Sequence, residues 1–279
     1  MMRAEAIIQQ DIRDVIFSTI SDRQYTAHLL TERQGVIAGV KRLQTFLTDN
    51  NISAELRVVE GEQVAAGQVL TVIIGTPKQI AVAEEFVVGF LAKPSGLATA
   101  ARRAVEAAGP GLNIVCGAWK KMPHEIKHIV REAVAAGGAW FRITNEPFLY
   151  LDKNFVRMLG GVEATLKSVS HITDKVKAIQ IKGETGDVGA EALAAFHWGA
   201  GILMVDTGRQ EDVAIVNRVL TAAGCRDKVK LAFAKGVKIE DIAGLQGHGI
   251  DMLDIGAAIL DAPLLDMKLE VQGWVNHGA

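Results

Sequence analysis

From about residue 111 the chain repeats one pattern, a short apolar run followed by polar or amphipathic residues. The runs are "LNIVCGA" (112–118), "AWFRI" (139–143), "VKAIQIKGE" (176–184), "GILMVDT" (201–207), "KVKLAFAKG" (228–236) and "GIDMLDIG" (249–256). Stretches of helical periodicity lie between several of them, including 187–198 and 210–223. Strands alternating with helices imply parallel βαβ units. No G-x-G-x-x-G follows any run, which argues against a dinucleotide-binding fold. The pattern predicts a (β/α) barrel, here an incomplete one.

The first hundred residues have another rhythm. "RQYTAHLLTERQGVIAGVKRLQTFLTDN" (23–50) mixes a short strand with helix. "AELRVVEGEQVAAGQVLTVIIGT" (54–76) alternates valines and small residues around Gly61, Gly67 and Gly75, and reads as strands joined by tight turns. Residues 77–109 have helical periodicity, with an interruption expected at Lys93-Pro94-Ser95-Gly96. The tail "LEVQGWVNHGA" reads as a strand that returns to this region. The expected fold is therefore α/β, an incomplete (β/α) barrel (111–267) preceded by an α+β domain (1–110, joined by the tail 268–279). The 279 residues suffice for both cores.

In a barrel the active site lies at the C-terminal ends of the strands. Those ends carry Lys120, Lys121, Lys182, Glu184, Asp206, Lys235 and Asp254. Singly, such charges mark a chain emerging into water. Placed around one mouth, they form a basic, carboxylate-studded pocket for a small anionic molecule. Lys235-Gly236 and Gly256 stand in the last two strand-to-helix turns, where barrels bind phosphate through backbone N–H groups. Glycine lets the backbone approach the ligand, although ordinary turns use glycine too.

Other features narrow the classes. A net charge of −2 argues against general nucleic-acid binding. No run of about 18 apolar residues would span a membrane, and "MMRAEAIIQQDIRDVIF" lacks the apolar core of an export signal. Two cysteines, Cys116 and Cys225, make no disulfide framework and fit a reducing cytoplasm. Cys116 is expected to pack in the first barrel strand, and Cys225 has no metal-partner pattern. His124 and His128 are four apart but lack a third ligand, so no metal site is expected.

Several segments together resemble the quinolinate phosphoribosyltransferase family, the nicotinate-nucleotide pyrophosphorylases, over most of the chain. "SGLATAARRAV" (95–105) is similar to its S-G-I-A-T segment, and "GEQVAAGQVLTVIIG" (61–75) to its G-x-x-V-x-x-G-x-x-L stretch. "AVAAGGAWFR" (133–142) resembles the A-V-x-x-G-G-G segment before a His-Arg pair. "ILMVDTG" (202–208) resembles I-M-L-D-N, and "GIDMLDIGAAI" (249–259) resembles G-V-D-x-I-S-x-G-A-L. The resemblance implies an α/β sandwich, an incomplete barrel, and a homodimer or higher homo-oligomer with shared active sites. It also implies transfer of phosphoribose from phosphoribosyl pyrophosphate to quinolinate, with decarboxylation, and magnesium on the pyrophosphate.

Residue by residue the resemblance is uneven. The family's T-R-K-T-x-P motif aligns with residues 118–123, keeping its lysine as Lys120 and placing Trp119 where it has arginine. Its His-Arg pair aligns with Phe141-Arg142, keeping the arginine. Its K-D-N-H segment aligns with Asp152-Lys153-Asn154-Phe155, and Glu85 stands for an arginine. Lys182 replaces a strand-end glutamate, Asp206 matches the strand-end aspartate, and 232–236 aligns with the E-A-S-G-G phosphate turn. On this resemblance Lys120, Lys182 and Asp206 are the candidate catalytic residues. Arg142, Trp119, Lys235, Gly236 and Gly256 are the candidate substrate and phosphate contacts. Lysines gained at 182 and 235 could take over charge neutralisation from a metal. The alternatives are a diverged barrel enzyme using Lys182 as a Schiff-base amine on a phosphorylated sugar or keto acid, and a non-catalytic relative keeping the fold.

Overall fold

The computed structural model describes residues 11–184 and 186–275. The reading of residues 1–10 as no export signal, and the last four residues of the expected tail strand, lie outside them. In chain order the elements are α1 (Ile12–Ile16), β1 (Tyr25–Thr31), β2 (Gly35–Val36), α2 (Val40–Asp49), β3 (Ser53–Leu56), β4 (Gln63–Val64), β5 (Val69–Gly75) and α3 (Pro77–Ala108). There follow β6 (Asn113–Val115), α4 (Lys127–Ala136), β7 (Phe148–Leu151), α5 (Lys153–Leu159), α6 (Val162–Ser168), β8 (Val176–Ile181) and α7 (Val188–His197). The last are β9 (Ile202–Val205), α8 (Gln210–Ala222), β10 (Lys230–Ala234), β11 (Met252–Asp254), α9 (Ala257–Leu260) and β12 (Met267–Trp274). No helix among the described residues is long and apolar enough to cross a membrane.

The first unit comprises the chain up to Gly96 together with the part from Pro263 onward. Its main sheet has the order β12-β1-β5-β3, antiparallel throughout. Alternation along β1 turns Ala27 and Leu29 inward, against Leu43 and Leu47 of α2 and Val87 and Leu91 of α3. Gly39 precedes α2 and offers no capping side chain. Glu60 supplies the cap from a neighbouring loop, accepting the N–H groups of Gly39 (2.9 Å) and Val40 (3.0 Å). A carboxylate there also complements the positive end of the helix dipole.

The interruption expected at Lys93-Pro94-Ser95-Gly96 does not occur, and α3 runs through it. Pro94 has no N–H to give to the carbonyl four residues back, Phe90. That carbonyl faces Gly39, where a Cβ would stand 2.2 Å from it. The Ser95 hydroxyl accepts the Ala38 N–H at 3.0 Å, and the Ala92 carbonyl accepts the Leu265 N–H at 3.0 Å. Gly96 lies against the backbone of Pro263. The residues that read as a helix break are thus where other segments of the first unit dock on the helix, and those contacts hold it together.

The second unit, Leu97–Ala262, contains a six-stranded parallel sheet of order β6-β11-β10-β9-β8-β7, the sheet of an incomplete (β/α) barrel. The run "AWFRI" is not a strand of it. Among the described residues of the run only Trp140 bridges to the sheet through its backbone, in one parallel bridge to Val115, while Ile143 packs its side chain in the core. Trp140 and Arg142 are exposed, and the Phe141 carbonyl is taken by the Trp119 indole, so the ladder stops after one rung. The strand next to β8 is "FLYL" instead. Val115, Ala178, Ile202, Met204, Ala232, Ala234 and Met252 form one interior layer with Phe148 and Tyr150.

At the N-terminal side of this sheet Asp251 ties strands together. Its carboxylate accepts the Leu231 N–H and an Arg226 N–H, each at 2.8 Å, while its carbonyl accepts the Asn113 N–H at 3.0 Å. Burial alone would raise this carboxyl. The Leu231 N–H, Arg226 and Lys230 outweigh burial and hold it below the usual range. The ionised form therefore favours the fold, a contribution present above the unfolded carboxylate pKa and lost as pH falls through the folded one. Asp251→Asn is expected to cost about 1–3 kcal/mol at neutral pH and progressively less in acid, as read by urea unfolding across pH.

Candidate active site

Because the six strands are parallel, their C-terminal ends share one side, and a cavity of about 490 Å³ opens there in the second unit. Val115, Ile143 and Met204 form its apolar part, and Trp119, Phe141, Phe148 and Tyr150 its aromatic walls. Lys120, Arg131, Arg142 and Asp254 supply the charge.

The turn Gly117–Lys121 leaves β6 as a short 3-10 helix and is anchored twice. The Gly117 N–H donates to Asp254 Oδ1 at 2.9 Å, and Trp119 Nε1 donates to the Phe141 carbonyl at 2.7 Å. Each cation lies over a ring. The Arg131 guanidinium is 4.9 Å from the Trp119 centroid, Lys120 Nζ is 5.5 Å from that of Tyr150, and Arg142 is 5.4 Å from that of Phe148. The negative faces of the rings attract these charges. None of the three pairs with a carboxylate among the described residues. The cavity therefore offers an anion three positive groups beside flat apolar surfaces.

Burial shifts the titrating groups here. It pushes the Asp254 carboxyl up, against the pull of the Gly117 N–H and Lys120, and Asp206 adds to the rise. It also pushes up the Tyr150 phenol, helped by Asp254, Asp206 and Asp152. The Cys116 thiol is pushed up to about 12 by burial and then by Asp254. Cys116 and Cys225 are both buried. Neither should react with a thiol reagent in the native protein, and both should after unfolding; native-state labelling would show either one to be accessible.

A second cluster joins the ends of β8 and β9. Lys182 Nζ donates to the Asp206 carbonyl at 2.7 Å and to its Oδ2 at 3.2 Å. Gln180 Nε2 donates to the same Oδ2 at 2.5 Å. The backbone N–H groups of Lys182 and Gly183 both donate to Glu191 Oε2, at 2.9 and 2.7 Å, so a buried carboxylate on α7 fixes the turn that carries Lys182. Glu184 points elsewhere, bound through both oxygens by Arg157 at 2.6 and 2.5 Å.

The remaining candidates lie on the other loops of the mouth. Lys235 has φ 83° and Gly236 φ 80°, and the left-handed conformation is costly for the lysine. Gly208 makes room for it, since a Cβ there would meet the Lys235 carbonyl at 3.0 Å. Gly256 precedes α9, and a Cβ on it would stand 3.0 Å from that of Ala118, beside the Gly117–Lys121 turn.

Trp119, Lys120 and Arg142 thus line one cavity; Lys182 and Asp206 pair with each other; Lys235, Gly236 and Gly256 are not among its lining residues. Arg131, Phe148 and Tyr150 were not expected from the sequence, and Asp254 was noted only as a strand end. The one available signal for Tyr150 was "FLYL" immediately before Asp152-Lys153. As for magnesium, no three His, Cys, Asp or Glu side chains converge on a cation position among the described residues. Asp206 is engaged by Lys182 and Gln180, and Asp254 by Gly117. This donor set supplies no cage of protein ligands for magnesium, an ion usually held by one or two carboxylates together with substrate phosphate.

Comparison with known proteins gives one consistent result. Residues 97–270 match the family model described as quinolinate phosphoribosyl transferase, C-terminal domain, and residues 14–95 match the corresponding N-terminal domain. A probable carboxylating nicotinate-nucleotide pyrophosphorylase of Archaeoglobus fulgidus is 27% identical over 256 residues, covering 91% of this chain and 97% of the relative. The human carboxylating nicotinate-nucleotide pyrophosphorylase is 24% identical, covering 88% of this chain and 82% of its own. Among solved structures, the nicotinate-nucleotide pyrophosphorylase of Francisella tularensis superposes with a TM-score of 0.80 at 21% identity, covering 95% of this chain and 91% of that one.

Proposed function

Since the chain belongs to the quinolinate phosphoribosyl transferase family, we propose that it is an enzyme transferring phosphoribose from phosphoribosyl pyrophosphate to quinolinate or a related small ring acid. The observation that carries this reading is the cavity at the strand ends, with three cations free of carboxylate partners over its aromatic walls. A flat anionic ring is the ligand such a cavity suits. In the reaction, the bond from ribose C1 to pyrophosphate breaks, the pyrophosphate leaves with the electron pair, and the ring nitrogen bonds to C1. Positive charge grows at C1, so catalysis rests on positioning and electrostatics.

In this reading Trp119 stacks on the acceptor, and Arg142 and Lys120 hold anionic groups. Lys182 and Lys235 offset phosphate charge, backbone at Gly236 and Gly256 approaches phosphate, and Asp206 faces the ribose. The setting is cytoplasmic, and the assembly a homodimer or higher homo-oligomer with shared sites. The test is pyrophosphate release from phosphoribosyl pyrophosphate across a panel of pyridine acids. Release that depends on the acceptor is expected; its absence for every acceptor would sink the reading.

A further inference from the structure

Among the described residues Asp254 is the one acid lining the cavity, and one of its two oxygens takes its hydrogen bond. Oδ1 accepts the Gly117 N–H, while Oδ2 makes no hydrogen bond among the described residues. Gly117 leaves Oδ2 uncovered, since a Cβ there would stand 3.3 Å from it. The charged and titratable groups facing Asp254 are Lys120 and Lys121 from the turn after β6, Asp206 from the end of β9, Tyr150 from β7, and Cys116. None of them bonds to Oδ2.

A cavity-lining carboxylate with one oxygen free of protein donors favours a ligand that brings a donor to it and disfavours one that brings an anion to the same place. The cations Lys120, Arg131 and Arg142 in the same lining favour an anion. The two requirements together describe a ring with a single acidic group and a donor. We propose that the acceptor selected by this pocket is a ring monoacid that turns a hydrogen-bond donor, in the simplest case a ring N–H, toward Asp254 Oδ2. Its carboxylate is taken by the cluster of Lys120, Arg131 and Arg142. This rests on the acceptor reading of the cavity given above.

The experiment is calorimetric titration of the whole protein, at mildly alkaline pH, with an imidazole carboxylate, nicotinate and quinolinate. The first carries one acid and a ring N–H, the second one acid and no N–H, the third two acids. The imidazole carboxylate is expected to bind about tenfold tighter than either. Asp254→Asn must keep its amide oxygen on the Gly117 N–H and turn its NH2 to the cavity, so it should lose that preference. Asp254→Ser should lose it too, and serves if the first variant does not fold. Equal or tighter binding of nicotinate or quinolinate to the wild-type protein overturns the inference, as does binding of none of the three. The two claims fail separately. If quinolinate binds best and releases pyrophosphate, the transferase reading stands and this inference falls. If phosphoribosyl pyrophosphate itself does not bind, the transferase reading falls, while the ranking of the ring acids still measures what Asp254 selects.

Discussion

Lys120→Ala should lower kcat/KM for phosphoribosyl transfer by about 100-fold while changing stability by less than about 0.5 kcal/mol. Lys120 reaches the cavity over the Tyr150 ring and makes no salt bridge, acting on Asp254 only through its field. Its removal therefore costs the fold little. In the reaction the same ammonium faces phosphate or carboxylate in a pocket from which substrate expels water, where one donor is worth several-fold more than at a surface. Lys121 is the internal control. It is exposed, does not line the cavity, and its replacement by alanine should alter kcat/KM by no more than about twofold. Equal losses at the two lysines would show that general positive charge near the mouth matters, and that the position of Lys120 does not.

The second large effect is on folding. Gly39→Ala should destabilise the protein by about 2–5 kcal/mol, seen as a lower denaturation midpoint at unchanged slope. Two causes act together. Gly39 has φ 99°, which costs any residue with a Cβ. The added methyl would also meet the Phe90 carbonyl at 2.2 Å. That carbonyl cannot retreat into a helical hydrogen bond, because Pro94 has no N–H to offer it. Relief of the clash must instead move α2, whose first N–H groups are held by Glu60. A loss below about 1 kcal/mol would mean that the loop yields freely.

The same residues show what was legible in the sequence. Pro94 and Gly96 read as a helix break because local propensity takes no account of a partner segment. The structure supplies the partners, Gly39, Ala38, Leu265 and Pro263, far away in the chain. The barrel runs were legible where apolar length and flanking helices agreed, at β6 and from β8 to β11. They failed at 139–143, where apolar residues serve a turn, and at the four-residue β7, too short to stand out from its neighbours. Lys120, Trp119 and Arg142 were found because strand ends and family motifs mark positions along a line. Arg131 was not, because it enters the cavity from a helix face, and its role depends on the Trp119 ring beneath it. Lys182 was located, but its pairing with Asp206 and the bracing by Glu191 are cross-strand relations that no spacing announces.

One feature of the first unit bears on how the chain is made. β1 lies between β5 and β12, so one edge of it is covered by the last strand described. During synthesis β1 leaves the ribosome early and β12 late, with the whole of residues 97–262 in between. The second unit is continuous in sequence and is synthesised in full before the outer strand of the first sheet. The N-terminal unit, usually the first to be finished during synthesis, here lacks its outer strand until residues 97–262 have been made. Until β12 emerges, β1 presents a bare edge able to pair with another nascent chain, and the pairing of Leu29 with Leu269 is among the contacts that close it.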